Sequence, residues 1–307
     1  WSSVNVPFRA TLLPPEEDVV AQPVRELSLD DMPDGNVVIR TARLFDGIGG
    51  GYQSGLDIII EDGRIAALEP SRDRPGEIVI DLGAVTALPG FIDSYADLPA
   101  NIDDSFGALL LSFGITTIIA DFPDAVALDK RWSGKNAPGP RILHSGDEAT
   151  VASLLHGTTS VADANTEGLD QLLNIRQASL LPKATPRRRF AEPPELENKA
   201  TNIVIGSKPN GLPPGIALHA EFLAAAAAGL NNEQVLRGTG VNAAAYLHFG
   251  LHLGRIAPGS RADLVLVDGD PLANVADLRK VVGIVRNGRF FSAIGLIEQV
   301  QAAANVE

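Results

Sequence analysis

The sequence predicts a mixed α/β fold in which a parallel α/β region is inserted between the two halves of a β-sandwich. Residues 36–86 and 254–291 both look like short antiparallel strands, and neither stretch is long enough to bury a core alone. Residues 87–253 alternate short apolar runs with helical stretches, which is typical of parallel α/β structure. Residues 1–35 are predicted to be an extended arm and residues 292–307 a C-terminal helix or tail.

Turn residues separate the β-branched runs of both sandwich halves. The segment Glu61-Asp62-Gly63 lies between two apolar runs and predicts a hairpin. Asn287-Gly288 predicts a type I′ hairpin turn, because both residue types tolerate positive φ. The predicted strands span residues 37–39, 57–60, 64–68, 78–82, 262–267, 281–285 and 289–291.

The inserted region contains five apolar runs that fit parallel strands. Its helices are clearest over residues 221–228 and 232–247, and Asn232 is the predicted N-cap of the second. The five runs are residues 87–88, 116–119, 141–143, 159–162 and 203–205.

Prolines punctuate the N-terminal arm and predict an extended chain rather than a packed domain. Apolar residues near its start alternate with smaller or polar ones. This pattern predicts one edge strand, added either to a neighbouring chain or to the chain's own sheet.

Composition limits the function classes that the chain can belong to. The net charge is −13, so nucleic acid and anionic membranes are not expected partners. The absence of cysteine excludes disulfides and thiolate metal sites, and no apolar run is long enough to span a membrane. Because the sequence starts at Trp1, we interpret it as processed or cut from a longer chain, and we favour a periplasmic or secreted location over a cytoplasmic one.

Five short segments occur in an order that resembles the amidohydrolase superfamily. They are Leu88-Pro89-Gly90-Phe91-Ile92-Asp93, Gly114-Ile115-Thr116-Thr117, Gly139-Pro140-Arg141-Ile142-Leu143, Asn242-Ala243-Ala244-Ala245 and residues 254–265. The chain is identified as a divergent, degenerate member, similar to the imidazolonepropionase and prolidase-like subgroup. The resemblance implies a TIM-like (β/α) barrel inserted in a split composite β-sandwich.

The same resemblance implies a metal centre whose ligands have changed in this chain. A His-x-His pair is expected directly after residues 88–93, where it would hold a divalent metal that activates water. Tyr95 and Asp97 stand at those positions. Asp163 stands where a histidine of the fifth strand is expected, and Lys208 replaces the expected aspartate of the eighth. No catalytic residue is therefore predicted to be intact, and no metal or other cofactor is expected.

Two carboxylates, one imidazole and one ammonium group leave alternatives open. Asp97, Asp163 and His144 are the candidates for holding a hard cation, if one binds. Asp97, Asp163 and Lys208 either form an ion-paired network or are solvated and unconnected. Asp93 is interpreted as structural, accepting hydrogen bonds from backbone donors, and His219 as a local hydrogen-bonding residue.

The inserted region is also short. A complete barrel needs about 200 residues or more, so residues 87–253 predict a truncated or remodelled TIM-like (β/α) barrel. An opened barrel exposes strand edges that need cover. We therefore expect protein partners, either in a homo-oligomer or in a hetero-oligomer with an active paralogue.

The leading hypothesis from the sequence is a non-catalytic structural or binding subunit of a larger assembly. The alternative is a metal-dependent hydrolase with rewired ligands for zinc or another divalent metal. It would act on C–N bonds of non-peptide amides, cyclic amides or dipeptides. A third possibility is a protein that binds a small molecule at the barrel mouth.

Overall fold

The computed structural model describes part of the chain, with the β-rich ends most completely covered. The described residues are Thr11–Leu12, 36–94, 96, 98–99, 102–119, 125–134, 137–143, 204–207, 212–213, 215–246 and 252–304. No described helix is both long and apolar enough to cross a membrane.

The described elements form two five-stranded sheets, one three-stranded sheet and a set of short helices. The strands are β1 (Thr11–Leu12), β2 (Val37–Arg40), β3 (Arg43–Leu44), β4 (Leu56–Glu61), β5 (Arg64–Pro70), β6 (Ile78–Asp81), β7 (Thr86–Pro89), β8 (Phe91–Asp93), β9 (Ile115–Ile119), β10 (Arg141–Leu143), β11 (Leu264–Val267), β12 (Val281–Arg286) and β13 (Arg289–Ser292). The helices are α1 (Asp104–Ser112), α2 (Ala125–Trp132), α3 (Ile216–Ala227), α4 (Asn232–Gly238), α5 (Val241–Tyr246), a 3₁₀ helix (Val275–Arg279) and α6 (Ala293–Ala304).

The first sheet is built from the N-terminal part of the chain, in the order β1-β6-β2-β4-β5. Strand β2 is parallel to β6, and the other pairs are antiparallel. Thr11 and Leu12 pair with Val79 and Ile78, so the N-terminal arm contributes an edge strand to the chain's own sheet.

The second sheet combines strands from both ends of the chain, in the order β13-β12-β11-β7-β3. Its central pair is β7 with β11, which run antiparallel with Leu264 opposite Pro89. The prediction that Ala87 and Leu88 begin the parallel region is therefore wrong. All four residues of β7 are buried, and a short run that is buried on both faces gives no periodicity to distinguish the two kinds of sheet.

Side chains of the two five-stranded sheets share one apolar cluster. Ile39 and Ile60 of the first sheet belong to the same buried group as Leu264 and Val285 of the second. Because each sheet alone would leave one apolar face in water, residues from both ends of the chain are needed to bury this core.

Both predicted hairpin turns are present, and their tips touch. Asn287 and Gly288 have φ values of 52° and 82°, which confirms the type I′ turn, and Asp62 and Gly63 have 48° and 73°. A Cβ atom added to Gly288 would lie 2.7 Å from the Cα atom of Gly63. The contact between the tips thus requires glycine for its close approach as well as for its positive φ.

We predict that Gly288→Ala destabilises the protein more than Gly76→Ala. Both positions have positive φ, but an added Cβ at Gly76 meets no atom within 4 Å. The Gly76→Ala control should therefore lose only the left-handed backbone term, about 1–2 kcal/mol. Gly288→Ala should lose a further 1 kcal/mol or more, roughly, from overpacking against Gly63. Chemical denaturation measures both, and equal losses would contradict the tip contact.

The third sheet is parallel, in the order β10-β9-β8. The runs predicted at residues 116–119 and 141–143 form β9 and β10. Residues 204 and 205, the described part of the predicted 203–205 run, are not part of a strand. The 159–162 run lies outside the described residues. Within the described residues the parallel strands do not close into a barrel, so the truncated or remodelled barrel stays a prediction.

The C-terminal helices of the inserted region differ in detail from the predicted ones. The helix predicted at 221–228 begins earlier, at Ile216, and the one predicted at 232–247 is divided into α4 and α5. The N-cap of α4 is Asn231 rather than Asn232, because Asn231 and Gln234 form a reciprocal capping box.

His219 lies inside α3 and is buried among three aromatic rings. Its Nε2 is 2.8 Å from the carbonyl oxygen of Phe113, 106 residues away in the chain, so the predicted hydrogen-bonding role is confirmed but its partner is not local. The ring contacts Phe91 and Phe222. Burial lowers the pKa of His219 from 6.5 to about 4, in spite of the opposing hydrogen bond to Phe113. The imidazole is therefore neutral in the folded protein at neutral pH.

We predict that His219 makes the folded state less stable as the pH falls from 6.5 to 4. In that window the unfolded imidazole binds a proton and the folded one does not, so the free energy of unfolding falls by about 3 kcal/mol in total. Unfolding measured at several pH values should show that His219→Gln removes this component. The matched control His252→Gln, at an exposed position, should retain it. A wild-type slope in His219→Gln would contradict the assignment.

Candidate active site

The carboxyl ends of β8, β9 and β10 form the candidate active site. In parallel β/α structures these ends carry the residues that bind and react with ligands. Asp93 is the last residue of β8, Ile119 of β9 and Leu143 of β10. The three strand ends lie side by side because the strands pair in register.

Asp93 connects β8 to a segment more than a hundred residues later in the chain. Its side chain is fully buried, and Oδ1 accepts a hydrogen bond of 2.7 Å from the backbone N–H of Ser207. A carboxylate that accepts a backbone N–H forms a charge-assisted bond, which is stronger than a neutral one. The structural interpretation of Asp93 as an acceptor for a backbone donor is thus confirmed.

The end of α4 and the turn after it form hydrogen bonds to β8 and to the segment of residues 204–207. The Ile92 N–H donates to the Thr239 carbonyl over 2.8 Å, and the Thr239 hydroxyl donates to the Ile92 carbonyl over 3.3 Å. The Ile205 N–H donates to the carbonyl of Gly238 over 3.0 Å. Thr239 is buried, so these bonds are shielded from water and fix the position of Asp93 relative to Ser207.

An apolar cluster lies directly beside these bonds. It joins the ends of the three parallel strands to α5 and to the residues that precede the return into the second sheet. Its members are Ile92, Ile119, Leu143, Val204, Ala243, Ala244 and Leu253. The described part of the site is therefore a buried apolar platform with the carboxylate of Asp93 at its edge.

The residues predicted from the sequence to form the site lie outside the described residues. They are Tyr95, Asp97, His144, Asp163 and Lys208. In the sequence, His144 directly follows β10 and Lys208 directly follows Ser207. Their predicted roles, including the proposed loss of zinc ligands, stay predictions.

The described residues contain no group of three or more His, Cys, Asp or Glu side chains that could hold a metal ion. Asp93 contributes one carboxylate near the strand ends. Any divalent metal at these strand ends would need further ligands from outside the described residues. In the set predicted from the sequence (Asp97, Asp163 and His144), carboxylates outnumber imidazoles. Such an oxygen-rich set suits a hard cation better than zinc.

Sequence reasoning did not identify Thr239 as a residue that supports the site. It lies seven residues after Asn232, within what was predicted to be one continuous helix. The Thr239-Gly240 pair is a helix-ending signal that was available in the sequence. Its hydrogen bonds to Ile92, however, join residues far apart in the chain.

Comparison with known proteins supports a family assignment. Residues 196–290 match the model of the amidohydrolase family. The chain is 39% identical over 101 residues to the N-acyl-D-aspartate deacylase of Alcaligenes xylosoxydans xylosoxydans; the match covers 30% of this chain and 19% of that relative. These findings show that residues 196–290 are similar to the amidohydrolase family. The matched region thus spans about a fifth of the length of this curated relative.

Several solved hydrolases have a fold similar to that of this chain. Molinate hydrolase aligns with a TM-score of 0.61 and 14% identity over 85% of this chain and 96% of that one. Phenylurea hydrolase B aligns with a TM-score of 0.59 and 13% identity, covering 86% and 98%. A putative prolidase from Bifidobacterium longum aligns with a TM-score of 0.56 and 15% identity, covering 87% and 99%. At these identities the likeness establishes an amidohydrolase-type mixed α/β fold.

We predict that Thr239→Val lowers the free energy of unfolding by about 1 kcal/mol. Valine keeps the shape of the side chain but removes the buried hydroxyl that donates to Ile92. Thr239→Ser keeps the hydroxyl and serves as the matched control. The serine variant should keep the contribution of this hydrogen bond to the free energy of unfolding, which the valine variant loses. Any loss in the serine variant should come from the missing methyl group. Hydrogen exchange at the Ile92 amide should be faster in the valine variant. Unchanged exchange would contradict a role for the Thr239 hydroxyl in holding the end of β8.

Proposed function

We propose that the chain is a hydrolase of amidohydrolase type that acts on C–N bonds of small amides. The family match over residues 196–290 carries the proposal. It is supported by the deacylase relative, whose name denotes action on an N-acyl amino acid, and by the shared fold of molinate hydrolase and phenylurea hydrolase B. The substrate class is accordingly N-acyl amino acids, related small amides, cyclic amides or dipeptides.

A divalent metal is the cofactor that this type of hydrolase implies. Asp97 and Asp163, with His144, are the residues that would hold it, and their oxygen-rich donor set fits a hard divalent cation. Such a metal lowers the pKa of bound water and so supplies a nucleophile at neutral pH. Lys208 is a cation and takes no part as a ligand; we assign it to pairing with a carboxylate of the set.

The described platform supports this chemistry by fixing the strand from which the reacting groups extend. Tyr95 and Asp97 follow β8 in the chain by two and four residues. The Asp93–Ser207 hydrogen bond and the hydrogen bond from Thr239 to Ile92 hold the end of β8 against residues 204–207. Catalytic groups need to be held within about half an ångström of their productive positions, and buried hydrogen bonds provide that.

We predict that Asp97→Asn and Asp163→Asn each reduce turnover by roughly a hundredfold or more, since each removes a charged ligand. The purified chain should be assayed against N-acyl amino acids, cyclic amides and dipeptides, with manganese or zinc added. Asp104→Asn is the matched control, because Asp104 is an exposed carboxylate on α1 that pairs with Arg131. It should retain full activity.

The metal content of the purified chain distinguishes a metal-dependent hydrolase from a non-catalytic structural or binding subunit. Elemental mass spectrometry after buffer exchange should find a divalent metal in wild type and less in the Asp97→Asn and Asp163→Asn variants. A folded protein that stays metal-free with manganese or zinc present, and that hydrolyses none of the substrates, contradicts the hydrolase proposal. That result would favour the non-catalytic subunit.

We further propose that the chain has protein partners and a periplasmic or secreted location. Light scattering of the purified chain tests the first. A homo-oligomer, or a complex with an active paralogue, would agree with the proposed need to cover open strand edges.

A further inference from the structure

A buried cluster of charges lies at the end of the parallel strands opposite to Asp93. Arg141 opens β10, and its Nη1 is 2.7 Å from Oδ2 of Asp263. Asp263 Oδ1 also accepts a 2.6 Å hydrogen bond from the Asn287 N–H. Arg286, at the end of β12, completes the group. These side chains are 5–9% exposed, so the cluster is shielded from bulk water.

Arg286 has no hydrogen-bond acceptor for its guanidinium among the described residues. Its nearest carboxylate oxygen is Oδ1 of Asp263 at 3.9 Å, which is beyond hydrogen-bond distance. The Nε atom of Arg286 is buried without a partner. A buried cation without hydrogen bonds carries a large desolvation penalty.

The same chain shows what a satisfied buried arginine looks like. Arg74 is 3% exposed, and its guanidinium contacts three carboxylates: Asp57 at 2.7 Å, Glu69 at 2.9 Å and Glu77 at 3.4 Å. The environment of Arg286 supplies one distant carboxylate in place of three close ones. The contrast marks Arg286 as a buried arginine that lacks a close carboxylate.

The surrounding charges do not balance that of Arg286. Burial and then Arg141 lower the pKa of Arg286 to about 10, while Asp263 and Asp129 oppose the shift and Arg261 adds to it. The guanidinium is therefore still charged at neutral pH. Within the cluster two guanidinium groups, Arg141 and Arg286, face the single carboxylate of Asp263. Asp129 is engaged elsewhere, since its Oδ1 accepts the Ile142 N–H at 2.8 Å. The cluster holds one positive charge in excess.

We infer that a small monovalent anion, a halide or a simple carboxylate, binds beside the Arg286 guanidinium between the second sheet and β10. One negative charge balances the cluster, and a guanidinium offers several donors to one compact acceptor. A dianion would leave the cluster with a net negative charge, and Asp263, whose carboxylate is 3.9 Å from the same guanidinium, would repel it twice as strongly as a monoanion. The site is independent of the proposed hydrolase centre, because it lies at the amino ends of the strands.

Thermal unfolding in titrations of sodium chloride, and separately of sodium acetate, tests the inference. Ionic strength is held constant with sodium HEPES, whose anion is a bulky sulfonate. Raising the bound anion to about ten times its dissociation constant should raise the Tm of wild type by about 3 °C, because it binds only the folded state. A response to acetate alone identifies a carboxylate site, and a response to chloride identifies a site for small anions in general.

Arg286→Met is the decisive variant. It removes the unpaired charge but keeps an unbranched apolar side chain, so it should lose the anion response while being as stable as anion-free wild type or more so. Arg72→Met is the control, because Arg72 is an exposed arginine paired with Glu69, and it should respond like wild type. A wild type that ignores both anions, or an Arg286→Met variant that keeps the full response, overturns the inference.

If Arg286→Met does not fold, a crystal of the wild type soaked in sodium bromide gives the second test. An anomalous peak within hydrogen-bond distance of the Arg286 guanidinium supports the site. A soaked crystal with anomalous peaks elsewhere and none beside Arg286 overturns it.

Discussion

The structure depends on the set of hydrogen bonds made by Asp263. Its carbonyl oxygen accepts the N–H of Gly90, which precedes β8, and its carboxylate accepts Arg141 and the N–H of Asn287. One residue thus joins the entry to β11, the starts of two parallel strands and the hairpin of β12 and β13. Burial by itself would raise the pKa of Asp263, but Arg141 and Arg286 outweigh it and hold the pKa below its usual range. The carboxylate therefore stays charged, and its bonds are charge-assisted.

This arrangement separates the two ends of the parallel strands by role. The amino ends, with Arg141 and Asp263, attach the parallel sheet to the second five-stranded sheet. The carboxyl ends, with Asp93, form the edge at which the candidate site lies. Stabilising and functional residues are divided between opposite faces in the same way in complete (β/α)₈ barrels. Residues at the functional edge can therefore vary without disturbing the attachment to the second sheet.

Because the two ends of the parallel strands have different roles, the chain can match the family in residues that support the fold and still differ from it at the candidate site. The matched region, residues 196–290, contains the helices and strands that carry Thr239 and Asp263, which support the fold. Tyr95, Asp97 and Lys208 differ from the residues that the family resemblance implies. A carboxylate-rich set is chemically different from a set of imidazoles but compatible with hard divalent cations. This is why the hydrolase proposal calls for rewired ligands in place of a standard zinc centre.

The sequence by itself determined the features that follow from local backbone and side-chain preferences. The turns at Gly63 and Gly288 were predictable because positive φ favours glycine and asparagine. Most strands of the two five-stranded sheets were predictable because β-branched runs alternate with such turns. The interpretation of Asp93 as an acceptor for a backbone donor also came from the sequence, but its partner, Ser207, did not.

Only the tertiary structure decided which distant segments meet. It placed β7 in the second sheet, since a run buried on both faces has no periodicity that reveals its partner. It joined Thr239 to Ile92 and left Arg286 without a close carboxylate. These facts depend on contacts between residues far apart in the chain. A local pattern of residue types does not specify how close two distant residues lie in space. Only the packing of the whole fold sets that distance.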